Sequence, residues 1–161
     1  MRHLAGAAAA LLIAGPAFAE AHAPGDAAAG EKAFRQCASC HMVQNEAGDV
    51  VAGGKARTGP NLYGVALRPY GAVEGFGYSD AMAQAGEAGH VWTGPAFAAF
   101  VQDPTGHLRE VTGDGGARSK MTFRLRKAEA APDLWAFLLS VGPELTPEQM
   151  EQLAAAEAEG S

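Results

Sequence analysis

The run Cys37-Ala38-Ser39-Cys40-His41 contains the only two cysteines of the 161-residue chain. A disulfide between them would close too short a loop to restrain the unfolded chain much, so structural stapling is a poor explanation for the pair. Upstream, Asp26 can cap a helix in which Gly30, Phe34 and Cys37 recur at helical spacing and share one face. The run is therefore expected to end a helix, with Cys37 on its core side.

Three kinds of site use cysteines at this spacing. A thioredoxin-like dithiol follows a strand of a βαβ unit, and a zinc site needs four ligands, usually with more cysteines. In c-type haem attachment each thiol adds to a vinyl group of one haem, and the adjacent histidine ligates the iron. Because the run ends a predicted helix and no other cysteine exists, it predicts haem attachment at Cys37 and Cys40, with His41 as an iron ligand.

The first residues have the parts of a secretory signal peptide. Arg2 supplies a positive charge, Leu4 to Ala14 form a short apolar stretch, and Ala17-Phe18-Ala19 matches an Ala-x-Ala cleavage site. A retained membrane anchor is disfavoured because the stretch is short and Gly15-Pro16 interrupt it. We expect cleavage after Ala19 and a soluble protein in the periplasm, where thiols are oxidised.

Composition limits the class of protein. The chain has 12 Lys+Arg against 18 Asp+Glu, which argues against a nucleic-acid-binding surface that must neutralise phosphates. Its length favours one domain, and the lack of alternating apolar runs argues against a β-sandwich or barrel. We expect a signal peptide over 1–19, an all-α domain over 20–142 and an acidic tail over 143–161 that forms a short helix.

Capping residues predict where the helices begin and end. Ser79 caps a helix of about two turns that ends near Gly86, and Thr93 caps another that Pro104 limits. The strongest helical face runs from Leu134 to Leu139 and stops at Gly142-Pro143.

Loops and the tail complete the expected organisation. The segments 42–58, 68–77 and 104–120 show no periodicity and are predicted to be loops. Such long loops are unusual in a small domain unless a large cofactor organises them. In the tail, Thr146 as cap with Gln149 three residues later predicts a terminal helix.

The chain resembles the class I c-type cytochromes, and within them the bacterial cytochrome c2 and c-550 group, relatives of mitochondrial cytochrome c. The resemblance covers most of the chain after the signal peptide. Its pieces are Gly30 and Phe34 with the Cys-His run, Arg57 to Gly64, Gly75 to Tyr78, Trp92, Lys120-Met121-Thr122-Phe123, and the helix from Leu134 to Leu138. It implies an all-α cytochrome c fold of about four to five helices with long loops around one covalent haem. It also implies that the first and last helices cross at Gly30, where Phe34 meets Leu134 and Phe137.

The second axial ligand of the iron must be another methionine or histidine. The candidates are Met42, Met82, Met121, Met150, His22, His90 and His107. Met42 is adjacent to His41 and cannot reach the opposite face, and most methionines only fill cores. Met121 follows a glycine-rich loop that can wrap the far side of the haem, and the resemblance implies that it is the ligand. His90 and His107 stay possible only if that loop is displaced.

The resemblance also implies residues around the haem. The Pro60 carbonyl accepts the ring N–H of His41 and fixes the imidazole. A buried propionate without donors would be costly, and the implied partners of the propionates are Arg68, Tyr78 and Trp92. One departure is Phe100, which stands where the family often has a tyrosine near the methionine sulfur and offers no hydroxyl.

An imidazole and a thioether would fill both axial positions, so outer-sphere electron transfer is expected rather than chemistry on a substrate. The protein would then be an electron-transfer protein, not an enzyme. The resemblance implies a cytochrome bc complex as donor and a terminal oxidase or photosynthetic reaction centre as acceptor. A haem-based sensor or peroxidase-like enzyme with a labile sixth ligand is the alternative, and binding of added ligands distinguishes it.

A basic segment surrounds Met121. Its members are Arg118, Lys120, Arg124, Arg126 and Lys127, with no acid among them, whereas the chain from Ala128 onward contains acids and no base. Such a cluster is often only a solvated face. By analogy this one edges the exposed haem rim, where charge steers the transient docking of a monomeric carrier onto membrane-protein partners.

Overall fold

The structure is a computed structural model that describes residues 25–159, so the predicted signal peptide, with its cleavage site after Ala19, lies outside the described residues. Within them the chain forms six helices and one two-stranded sheet, which agrees with the expected all-α cytochrome c fold but exceeds the expected helix number. The elements are α1 (Ala27–Phe34), β1 (Met42–Gln44), β2 (Val50–Gly53), α2 (Asp80–Glu87), α3 (Gly94–Gln102), α4 (Pro104–Thr112), α5 (Ala130–Ser140) and α6 (Pro147–Glu159). None of the helices in the described part of the chain has the length and apolar character needed to cross a membrane.

Helices α1 and α5 cross in close contact at Gly30. A Cβ atom at Gly30 would overlap the backbone carbonyl of Asp133 and lie 2.7 Å from the Cβ of Phe137. The ring centroids of Phe34 and Phe137 are 5.3 Å apart, and the Asp26 N–H donates to the Asp133 carboxylate at 2.8 Å. The expected crossing at Gly30 is therefore confirmed.

Short-range capping signals were sufficient for most helix starts. Asp26 accepts from the backbone of Ala28 and Ala29, Ser79 accepts from Met82, and Thr93 accepts from Ala96. Helix α2 runs one residue past the expected end at Gly86. Pro132 lies in the first turn of α5, where its missing N–H costs no helical hydrogen bond.

The prediction of a loop over 42–58 was wrong in part. β1 and β2 form an antiparallel hairpin with Met42 opposite Gly53, and Val43 is completely buried. The strands have only three and four residues, and a register irregularity follows Val43. Strands this short, broken by a bulge, leave no alternating pattern for sequence analysis to detect.

The prediction of a loop over 104–120 was also wrong, because 104–112 form α4. Asp103 caps this helix by accepting from the Gly106 N–H at 3.1 Å, Pro104 occupies its first turn, and Gly113 follows it with φ 67°. Pro104 does limit α3 as expected. A proline that ends one helix can also begin the next, since its fixed φ suits the first helical position.

The C-terminal helix folds back onto the domain. Thr146 and Gln149 form the expected capping box, with reciprocal hydrogen bonds of 2.9 and 3.2 Å. The Glu157 carboxylate accepts from the Trp135 indole N–H at 2.9 Å and from the Gly94 N–H at 3.3 Å. Leu153 is buried, so α6 covers part of the surface that α3 and α5 present.

We predict that Gly30→Ala lowers the free energy of unfolding by about 2 kcal/mol, because the added methyl group forces α1 and α5 apart. We expect this loss of stability even though alanine stabilises a helix interior by about 1 kcal/mol relative to glycine. Chemical denaturation of the purified protein measures the change. Gly54→Ala is the control, since a Cβ there meets nothing within 4 Å. Equal stability of the two variants would contradict the proposed role of the crossing.

Candidate functional site

A cavity of about 240 Å³ lies between α1, α2, α3, α5 and the loops that connect the helices. Its walls are mostly apolar and include Phe34, Leu62, Phe97, Leu134 and Leu138. Cys37, Cys40 and His41 line it together with Met121, which is distant from them in sequence. The fold thus brings the predicted attachment run and the predicted second ligand to one cavity.

The Cys-His run follows α1 as a series of tight turns. The N–H of Cys40 and of His41 both donate to the Cys37 carbonyl, at 3.0 and 2.9 Å. Cys37 and Cys40 are both half-buried free thiols. Burial, with a smaller contribution from Cys40, raises the pKa of the Cys37 thiol to about 11. Cys37 is therefore a neutral thiol at physiological pH.

The His41 ring is held in one orientation. Its Nδ1 lies 2.9 Å from the Pro60 carbonyl oxygen, which can only accept, so Nδ1 carries the proton and Nε2 keeps a lone pair. Burial lowers the pKa of His41, and the Pro60 hydrogen bond opposes this shift in part. The imidazole is thus neutral and has one nitrogen available to a metal. The contact with Pro60 is the one that the resemblance implied.

Gly59 is a feature of this site that sequence analysis did not single out. A Cβ there would lie 2.5 Å from Nδ1 and 2.7 Å from Nε2 of His41. The Gly59 N–H also donates to the Cys40 carbonyl at 2.8 Å. Only glycine leaves room for the imidazole against this backbone.

Two methionines line the cavity, Met82 and Met121. Met82 lies in the first turn of α2 and is 6% exposed, whereas Met121 lies in a segment without regular secondary structure and is half-buried. Met42, His90 and His107 are absent from the cavity lining. Within residues 25–159, the candidates for a second iron ligand that line the cavity are therefore the two thioethers, Met82 and Met121.

The Met121 segment is tied to its surroundings by three polar contacts. Ser119 Oγ accepts from the Met121 N–H at 3.1 Å, and the Ser119 N–H donates to Thr105 Oγ1 at 3.3 Å. The Lys120 ammonium donates to the Gly77 carbonyl at 2.7 Å. Helix α4, which sequence analysis missed, therefore helps to position Met121 through Thr105.

Arg68 supplies a positive charge to the cavity wall. Its guanidinium donates to the carbonyl oxygens of Tyr63 and Asn61, at 2.8 and 3.0 Å. Both acceptors are neutral, so these bonds orient the side chain without balancing its charge. Burial raises the pKa of Tyr78, and Arg68 opposes that shift. The three predicted propionate partners, Arg68, Tyr78 and Trp92, all line the cavity.

The basic segment borders the mouth of the cavity. Lys120 and Phe123 both line the cavity and are exposed, with Phe123 37% exposed. Arg124 pairs with Asp103 at 2.8 Å, and Arg118 donates to the carbonyls of Gly116 and Ala117. The exposed members of the segment are Arg118, Lys120, Arg124, Arg126 and Lys127.

These residues fit a c-type haem. Two thiols beside a fixed neutral imidazole match its attachment run, the apolar walls suit the macrocycle, and the unbalanced Arg68 charge suits a propionate. A zinc site does not fit, since no three His, Cys, Asp or Glu side chains within residues 25–159 are grouped to hold a metal ion.

Comparison with known proteins gives consistent matches, although no family model matches the chain. A cytochrome c2 of Rhodovulum adriaticum is 55% identical over 118 residues, 73% of this chain and 94% of that protein. A cytochrome c-550 of Paracoccus versutus is 46% identical over 156 residues, 95% of this chain and 93% of that protein. The solved structure of cytochrome c2 from Rhodobacter sphaeroides covers 75% of this chain and 99% of its own, with a TM-score of 0.73 and 46% identity.

We predict that Arg68→Lys destabilises the haem-loaded protein by about 2 kcal/mol, because a lysine cannot donate to both carbonyls in the geometry of the guanidinium fork. Denaturant unfolding followed through the haem absorbance measures the change. Arg35→Lys is the matched control, since Arg35 is exposed. Equal effects of the two substitutions would show that the Arg68 contacts add nothing to stability.

Proposed function

The chain belongs to the class I c-type cytochromes, in the group of cytochromes c2 and c-550, and we propose that it is a soluble periplasmic carrier whose iron is ligated by His41 and Met121. As a member of this family it carries one covalently attached haem c and serves electron transport. The observation that carries the proposal is the single cavity lined by Cys37, Cys40, His41 and Met121.

The Cys-His run holds the cofactor in this proposal. The Cys37 and Cys40 thiols would each form a thioether with one vinyl group of the haem, which would hold the cofactor covalently at this wall. The hydrogen bond to the Pro60 carbonyl fixes the orientation of the His41 ring and leaves Nε2 unprotonated. When bound, the haem supplies an iron that changes between ferrous and ferric states by one electron.

Met121 would be the second residue to hold the iron, and the contacts of Ser119 and Lys120 position its segment. With His41 and Met121 both holding the iron, no site would be left for oxygen or peroxide, which favours an electron carrier over an enzyme. A haem-based sensor or a peroxidase-like enzyme would require Met121 to leave easily.

The remaining wall residues limit rearrangement and exclude water. Phe34, Leu134 and Leu138 cover the cavity from α1 and α5, and Arg68 with Tyr78 and Trp92 meets the propionates. These groups are fixed by the fold before any electron arrives, so little reorganisation accompanies a change of charge.

The basic segment at the cavity mouth serves partner docking. Arg118, Lys120, Arg124, Arg126 and Lys127 steer the protein toward an acidic face, beside the exposed ring of Phe123. We assign a cytochrome bc complex as donor and a terminal oxidase or photosynthetic reaction centre as acceptor. Short-lived contacts of a monomer suit such a shuttle.

The proposed periplasmic location rests on the signal peptide that the sequence predicts over residues 1–19. Cleavage after Ala19 leaves a domain over 20–142 and an acidic tail over 143–161 in the periplasm. Sequencing the N-terminus of the secreted protein tests the cleavage site directly.

We predict that the oxidised protein shows the weak near-infrared band of a ferric iron–methionine bond, and that Met121→Leu abolishes it. Leucine keeps the apolar volume but has no sulfur donor. Met82→Leu is the matched control, because Met82 lines the same cavity, and it should keep the band. Loss of the band in Met82→Leu alone would assign the ligand to Met82. Binding of cyanide or carbon monoxide by the unmodified protein at low concentration would favour the sensor or enzyme.

We predict that Arg126→Glu with Lys127→Glu slows electron transfer from a cytochrome bc complex roughly ten-fold at low salt, because steering toward an acidic partner is lost. Stopped-flow rates at several ionic strengths measure the effect, and the difference should shrink as salt screens the charges. Lys32→Glu with Lys55→Glu is the matched control, because it changes the net charge equally at exposed positions outside the basic segment. Equal slowing by both pairs would mean that net charge, not this segment, governs docking.

A further inference from the structure

Behind the wall formed by Trp92 and Phe100, the fold encloses a polar pair. Tyr70 is 3% exposed and His107 is 9% exposed, and neither lines the cavity. The Tyr70 hydroxyl oxygen lies 2.7 Å from Nε2 of His107, so the two atoms share one hydrogen bond. Tyr70 comes from the loop after Arg68 and His107 from α4, so only the tertiary fold joins them.

The other ring nitrogen of His107 has no partner. Within the described residues, Nδ1 of His107 is the buried side-chain nitrogen or oxygen that lacks a hydrogen bond. Buried polar atoms are nearly always paired, so this one calls for an explanation. The ring has a second site for a proton, and no hydrogen-bond partner among the described residues fills that site.

Aromatic rings connect this pair to the cavity. Tyr70 stacks on Trp92 with ring centroids 4.0 Å apart. The Phe100 ring meets Trp92 edge-on at 5.1 Å and His107 at 6.0 Å. Because Trp92 and Phe100 both line the cavity, one layer of rings separates His107 from a bound haem. Charges interact strongly across such a layer, since no water screens them.

We propose that His107 is a proton-binding site coupled to the redox state of the haem, so that electron uptake by the protein is accompanied by proton uptake at this imidazole. The proposal rests on the haem lying in the cavity described above. The electron comes from the redox donor and the proton from solvent. At most one proton binds, it forms an N–H bond on the ring, and it returns to solvent when the electron leaves.

Several groups act on the charge of His107. Burial lowers its pKa, Glu110 on the same helix opposes that shift, and His90 adds to it. Burial raises the pKa of Tyr70 so far that its hydroxyl stays protonated, which leaves His107 as the titrating member. The facing helix α2 contributes Asp80 and Glu87, and α3 contributes no titratable side chain over 94–102. Asp103, which caps α4, is paired with Arg124.

The sign of the coupling follows from charge. The reduced protein has one positive charge fewer, so it binds the His107 proton more tightly and the pKa of His107 is higher in that state. Between the two pKa values, the midpoint potential falls as pH rises. Burial sets this window below the ordinary histidine value of about 6.5.

Proton NMR of the His107 ring from about pH 4 to about pH 8, in the ferric and the ferrous protein, tests the inference without any substitution. We expect a measurably higher pKa in the ferrous state. Equal pKa values in both states, or no titration of His107 in that range, would overturn the proposal.

Potentiometric titration over the same range gives an independent readout. The slope of midpoint potential against pH should vanish in His107→Phe and persist in His90→Asn, a control for the nearby half-buried histidine. An unchanged slope in His107→Phe would overturn the proposal. A protein without the iron–methionine band would contradict the ligation proposed above, whereas a protein with the band and a redox-independent His107 would refute this inference alone.

Discussion

The close approach of α1 and α5 at Gly30 is the contact on which the cavity depends. Helix α1 ends at Phe34 and leads directly into the Cys-His run, while Leu134 and Leu138 of α5 form the opposing wall. The distance between the Cys-His run and the α5 wall therefore depends on the contact at Gly30, where a Cβ would overlap the Asp133 carbonyl. A cofactor attached covalently to one wall fits only if the opposing wall lies at a fixed distance. The packing of α1 against α5 therefore determines the width of the cavity.

The polar groups of the site are oriented by the backbone rather than by one another. His41 is held by the Pro60 carbonyl, and Arg68 by the carbonyls of Tyr63 and Asn61. Main-chain carbonyls do not titrate, so these orientations persist across pH. Neither a change of protonation at the surface nor a change of charge in the cavity needs to rearrange them, which is the property that fast electron transfer requires.

The parts of the fold that could be predicted from sequence are those encoded within a few residues. Ser79, Thr93 and Thr146 mark helix starts because a cap bonds to backbone three residues away. Pro104 carries two opposite signals, and the hairpin strands are too short to show a period, so α4 and the sheet were missed. At the site, the Cys-His run could be recognised, but the fit of Gly59 against His41 and the tie from Ser119 to Thr105 depend on tertiary contacts that no local pattern encodes.

The Phe100 departure and the buried Tyr70–His107 pair are two aspects of one arrangement. Phe100 gives the cavity wall a ring without a hydroxyl, and the Tyr70 hydroxyl lies one layer farther out, behind Trp92. Phe100 thereby keeps its part of the wall apolar, which disfavours water beside it. The Tyr70–His107 pair behind these rings can still influence the cavity electrostatically, because no solvent enters the apolar layer to screen its charge. A titratable group in the outer layer acts through charge alone, so the wall itself does not need to move.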